Sequence, residues 1–186
     1  MSTFIIAASG PSLTKRDVEF CKGKGTLIVI NNTYQLAPWA DILYACDQVW
    51  WHAYPEAIKF KGRKISIQYH HPKVELWPND GKKFGLGREM IHTGGNSGYQ
   101  AINLAYLLGA TKIILLGYDM QYTQGKAHWH GDHKRGLTQQ TAFKQWCNHL
   151  GIMAKDLISE GVEVINATRE TALECFKRQK LHHVKF

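Results

Sequence analysis

Several things are scarce or missing in this 186-residue chain, and each absence removes a class of function. No window holds 18 consecutive apolar residues, so a membrane span is excluded. The four cysteines (Cys21, Cys46, Cys147 and Cys175) stand far apart without a C-x-x-C string. That spacing argues against a disulfide framework or a cysteine zinc cage and fits a reducing cytoplasm. Neither G-x-G-x-x-G nor G-x-x-x-x-G-K-[ST] occurs, which disfavours a nicotinamide dinucleotide fold and a P-loop. Internal repeats and low-complexity segments are absent. Acids are few: 15 Asp+Glu face 23 Lys+Arg, a net charge of +8.

With 44% hydrophobic residues, the chain can bury one domain-sized core. Short, nearly continuous apolar runs at 4–8, 27–30, 42–45, 113–116 and 162–165 each end in a polar or glycine turn. Such runs suit strands covered on both faces of a parallel sheet. The first run follows Met1 without a basic lead-in and reads as a strand rather than a signal peptide. Helical spacing fills 97–108, with Gly109 at the stop position, and 138–160, with Gly161 after it. Within the second helix Trp146 is expected in the core. Alternating strands and helices predict a doubly wound, mostly parallel, Rossmann-like α/β sheet in a single domain, with right-handed crossovers. The nucleotide-binding domain is expected over 1–176. A basic, mobile flap is placed at 66–92, where two prolines and three glycines break any period, and a basic tail at 177–186 that frays or meets a partner. The basic excess attracts phosphates: nucleotide, nucleic acid or anionic glycan.

Ligands of open α/β sheets bind beyond the carboxyl ends of the strands. Ser9-Gly10-Pro11-Ser12 follows the first run, and Ser12 or Thr14 is placed to cap a short helix. Asn31-Asn32 follows the second run and Cys46-Asp47 the third. Thr93-Gly94-Gly95-Asn96-Ser97-Gly98 precedes the 97–108 helix as a phosphate nest with Asn96 or Ser97 as cap. Tyr118-Asp119 ends the fourth run, followed by Tyr122 and the cluster His128, His130, Asp132, His133. A histidine there is a candidate general base. Asp119 can hold a ribose hydroxyl, a metal or a base. Asp47, Asp119, His130 and His133 are the candidate metal ligands. The H-x-H-x-D-H string also matches metallo-β-lactamase-like hydrolases, but only 53 residues follow His133, too few for that fold. Trp50-Trp51 forms either a ring wall or core.

Residues 5–13, Asn31-Asn32, and 96–99 leading to the Gly117-Tyr118-Asp119 turn resemble the bacterial lipooligosaccharide sialyltransferases. They also resemble the 6-hydroxymethylpterin pyrophosphokinase-like proteins of bacteria and phages. The sialyltransferase resemblance implies a nucleotide-sugar transferase of a bacterial or phage-infected cell. Ser9, Gly10, Ser12, Asn32, Asn96, Ser97 and Gly98 would hold a cytidine nucleotide sugar, and His128 would be the base. Tyr122, displaced by one position, stands for one of two tyrosines that support the leaving phosphate. Asp47 replaces an asparagine, and the acceptor lid is much reduced. The reduced lid implies an acceptor other than that family's glycan, and the basic flap is expected to draw in an anionic one, a glycan or a nucleic acid. No cofactor is required for sugar transfer. The pyrophosphokinase resemblance implies instead diphosphoryl transfer with Mg²⁺ at Asp47 and Asp119. A third expectation is a non-catalytic nucleotide- or DNA-binding protein.

Overall fold

The computed structural model describes all residues except 1, 82, 133, 135, 136 and 138–140. Among the described residues, eight strands form one all-parallel sheet. In chain order they are β1 (Thr3–Ala7), β2 (Thr26–Ile30), β3 (Ile42–Tyr44), β4 (Arg63–Ser66), β5 (Glu75–Leu76), β8 (Lys112–Leu116), β9 (Glu163–Asn166) and β10 (Lys177–Arg178). Between β5 and β8, β6 (Asn79–Asp80) and β7 (Ile91–His92) pair separately. The spatial order is β10-β9-β8-β1-β2-β3-β4-β5. The chain winds outward from β1 to β5, returns, and winds the other way from β8. The reversal lies between β1 and β8, and open α/β sheets place their ligand crevice at such a point.

Alternate side chains of each apolar run enter opposite layers. Phe4, Ile6, Ile28, Ile113 and Leu115 join one core with α3 (Ser97–Leu107) and α4 (Phe143–Ser159). Ile5, Ala7, Leu27, Ile114 and Leu116 join the other, with α1 (Lys15–Phe20) and α2 (Gln48–Ala53). Strands covered on both faces need no polar alternation, which is why these runs are continuous. Helix α3 stops at Leu108, and Gly109 takes φ +89°, the left-handed conformation that ends helices. Helix α1 begins with a reciprocal cap: Thr14 Oγ1 accepts from the Asp17 amide, while Thr14 N–H donates to the Asp17 carboxylate. No helix among the described residues is long and apolar enough to cross a membrane.

Three expectations change here. The residues read as a fraying tail are part of the domain. Lys177–Arg178 extends the sheet beside β9, and Leu181 and Val184 are buried in the second core. The 66–92 segment contains β5, β6 and β7 and is anchored by buried Ile67, Val74, Leu86 and Ile91. Gly87 exchanges two hydrogen bonds with the buried Asn103 amide. The second helix begins at Phe143, and residues 138–140 of its expected start lie outside the described residues.

Leu181→Ala is expected to cost about 2–5 kcal/mol in urea denaturation, the ordinary loss for a buried leucine. A fraying tail would show no loss. Asp17 gives a pH signature. Burial pushes its carboxyl up, but hydrogen bonds from Arg169 and Thr14 and the Arg169 charge outweigh this and hold it below the ordinary carboxylate value. A depressed folded pKa stabilises the fold above the unfolded value, and that contribution is lost as pH falls through the folded value. Wild type should therefore exceed Asp17→Asn in stability at neutral pH, and the two should converge in acid well below about pH 3.9.

Candidate functional site

A crevice of about 350 Å³ opens at the β1/β8 reversal, within the range of small-molecule sites. Its floor is the tips of the two strands: Ala8-Ser9-Gly10 and Gly117-Tyr118-Asp119. The tips are clamped by one carboxylate. Asp119 is buried, and it accepts from Ser12 N–H and Thr123 Oγ1 on Oδ2 and from Ser12 Oγ on Oδ1, at 2.9, 3.0 and 2.9 Å. Desolvation raises its pKa, and the Ser12 and Thr123 bonds only partly oppose that rise. A Cβ at Gly10 would lie 2.1 Å from Asp119 Oδ1 and 2.4 Å from the Gly117 carbonyl, so only glycine fits.

One wall is the start of α3. Asn96 caps it, Oδ1 accepting from Tyr99 N–H at 2.9 Å, and Gly95, Ser97 and Gly98 line the crevice. This places the free amides and positive end of an 11-residue helix against the opening. Tyr118, buried, donates to the Gly98 carbonyl and joins the β8 tip to this wall. Its burial pushes the phenol well above its usual range, so it stays protonated. Asn31, Cys46 and Asp47, from the ends of β2 and β3, also line the crevice.

His128 approaches from the segment between β8 and α4. Its Nδ1 lies 3.1 Å from Ser9 Oγ, and its ring stacks on His130 with centroids 5.2 Å apart and planes 1° apart. Trp129 N–H donates to the Ser9 carbonyl, and the Trp129 indole donates to Thr33 Oγ1. The imidazole is thus pinned to the tip of β1. Phe143 and Trp146, edge to face at 5.7 Å, complete an aromatic side.

Two features of the crevice lining are uncommon. Asn31 Oδ1 and Asn96 Nδ2 are buried and find no hydrogen-bond partner among the described residues. Buried polar atoms of this kind are uncommon and costly. Asn31 and Met120, both lining the crevice, have φ of 49° and 50°. Left-handed conformations at residues other than glycine cluster at functional sites.

Of the residues expected from sequence, the structure gathers Ser9, Gly10, Asn31, Asp47, Gly95, Asn96, Ser97, Gly98, Tyr118, Asp119 and His128 around one crevice. Others it places elsewhere. Asn32 is buried and accepts from the Trp50 indole at 2.7 Å, so it serves the core. Trp50 and Trp51 are core residues, not a ring wall. Pro11 and Ser12 border a separate hollow with Thr14, Trp129 and Arg169. Ser12 binds Asp119 and Thr14 caps α1, so this turn offers no helix end to the crevice. Thr93 and Gly94 stand behind the wall. Gly94 packs against the Tyr99 ring, its carbonyl 2.9 Å from His149 Nδ1. Tyr122 is exposed, bonded to Thr141 and packed on Phe143 at the rim. Asp47, Asp119 and His130 form no group able to hold a metal among the described residues, and His133 lies outside them. Described flap residues do not line the crevice. Cys46, a strand-end residue read beside Asp47, lines it too, and so does Trp146, expected in the core, together with Phe143, Gln100 and Met120, which sequence reasoning missed. The available signal was position: the first turn of a helix after a strand overhangs that strand's carboxyl end.

The fold has a known counterpart. It is similar to the MAf glycosyltransferase from Magnetospirillum magneticum AMB-1, with a TM-score of 0.63 and 12% identity. The match covers 100% of this chain and 35% of that one, so the chain spans about a third of that protein's length. At this identity the likeness is one of fold. No family model and no curated protein matches the sequence.

Asp119→Ala leaves Ser12 N–H, Ser12 O–H and Thr123 O–H without their acceptor. It is expected to lower stability by at least about 2 kcal/mol in chemical denaturation. A side chain that only served a ligand would leave the unfolding midpoint unchanged.

Proposed function

We propose that this protein is a glycosyltransferase-like transferase that takes a nucleotide sugar as donor. The observation that carries this reading is the ligand-sized crevice at the sheet's reversal point, lined together by the α3 start, the asparagines Asn31 and Asn96, and His128. Phosphate oxygens would sit at the α3 start, on the amides of 95–98. Phe143 and Trp146 offer the ring-sized apolar side. The likeness to a glycosyltransferase fold supports the class, and the sialyltransferase resemblance puts a cytidine nucleotide first among donors.

Within this reading His128 is the general base. With Nδ1–H donated to Ser9 Oγ, Nε2 takes the proton of the acceptor hydroxyl. The acceptor oxygen forms its bond to the anomeric carbon, the bond from that carbon to phosphate oxygen breaks, and the nucleotide leaves with the electron pair. A positioned base contributes about 10²–10⁴-fold. Diphosphoryl transfer through Asp119-bound Mg²⁺ is less well supported, since both Asp119 oxygens are taken by Ser12 and Thr123.

The test is calorimetry with a panel of nucleotides, then donor hydrolysis or transfer with the matching nucleotide sugars. A nucleotide should bind wild type and His128→Ala within a factor of about two, while turnover falls at least about 100-fold in the variant. Unchanged turnover would remove His128 as the base, and failure of every nucleotide to bind would overturn the reading.

A further inference from the structure

A second concavity, of about 530 Å³, lies at the carboxyl ends of β9 and β10 and is built by the basic C-terminal residues. Arg169, Arg178, Lys180 and His182 line it, over a floor that includes Ala167 and Leu181, both buried. The two guanidinium groups are held in place by the protein. Arg169 forms a two-pronged pair with the buried Asp17 carboxylate, at 2.9 and 2.6 Å. Arg178 reaches back to the carbonyls of Thr168 and Arg169 at 3.4 and 3.1 Å, which sets it beside Arg169. Carbonyls orient a cation without neutralising it. No ion pair engages Arg178 or Lys180 among the described residues. Arg169, Arg178 and Lys180 against Asp17 leave the concavity with a charge of +2, before any contribution from His182.

The geometry points to a second binding site here, for a phosphomonoester group carried on a small molecule with an apolar body. A phosphomonoester carries about −1.5 to −2 at neutral pH, which matches the concavity's charge, and pre-oriented guanidinium groups recognise its oxygens in pairs. A carboxylate or a phosphodiester brings one charge and leaves the other cation uncompensated. The apolar floor suits a body attached to the phosphate. The site does not depend on the function assigned to the main crevice, with which it shares no lining residue.

The test uses the isotopically labelled full chain, with phenyl phosphate as the probe. Benzoate is the carboxylate control and methyl phenyl phosphate the diester control. Phenyl phosphate should shift the amide resonances of 167–169 and 178–182 and bind at least about ten-fold more tightly than either control. Arg178→Gln and Lys180→Gln should each weaken it about ten-fold, with unchanged circular dichroism. The proposal is overturned if benzoate or the diester binds equally well, if both variants bind like wild type, or if the shifts fall only on the main crevice. Inorganic phosphate should occupy the same residues more weakly. Inorganic phosphate binding as tightly as phenyl phosphate would remove the apolar body from the proposal.

Discussion

The architecture of the main crevice depends on one buried carboxylate. Residues 10–12 and 117–119 are neighbours only because β1 and β8 are adjacent, and adjacent strand ends would ordinarily diverge into independent loops. The Gly10 N–H donates to the Gly117 carbonyl at 2.8 Å, and beyond that bond Asp119 holds the turns together by accepting from both the backbone and the side chain of Ser12, 107 residues away in sequence. Two turns become one floor. The cost is desolvation, visible in the raised carboxyl pKa, and the three donors offset it. The same closeness dictates glycine at position 10. The network continues outward, since Glu170 N–H lies 3.4 Å from Ser12 Oγ, next in sequence to Arg169 of the basic concavity. The main crevice and the basic concavity are thus fixed on a common frame.

Much of the sheet is legible in sequence, for a physical reason. Parallel strands packed on both sides must be apolar throughout, so β1, β2, β3, β8 and β9 announce themselves locally. β10 does not. Lys177 and Arg178 are exposed, polar and only two residues long, and they form a strand because β9 presents backbone groups to them. α2 is equally hidden, since Trp50 and Trp51 read as well for a ligand wall as for a core. Their burial is decided by contacts with Asn32 and the Ala45 carbonyl on other elements.

The candidate site divides along the same line. Position at strand ends is local information, and it brings eleven of the expected residues to one crevice. Orientation is not local. Asn31 and Asn32 are adjacent, yet one lines the crevice and the other binds an indole, because Asn31 takes a left-handed φ. Asp119 stands where expected, but its oxygens turn to its own chain, which only the distant Ser12 decides. Trp146 carries the spacing of a core residue. It stands in the first turn of α4, so the same apolar stripe that packs Leu150 and Met153 reaches the crevice one turn earlier.

The placement of His128 follows from these constraints. A histidine on a connecting segment is held only as well as that segment is. Here Trp129 N–H takes the Ser9 carbonyl at 2.9 Å, and the Trp129 indole takes Thr33 Oγ1, which itself donates to the Ala8 carbonyl. Both anchors lead to the end of β1, and Ser9 Oγ adds a contact to the ring. The imidazole is therefore referenced to the same strand tip that forms the crevice floor, not to the loop that carries it. A change at the tip would move floor and imidazole together and preserve their spacing. That is the geometric condition under which a base on a loop can serve chemistry at a strand end.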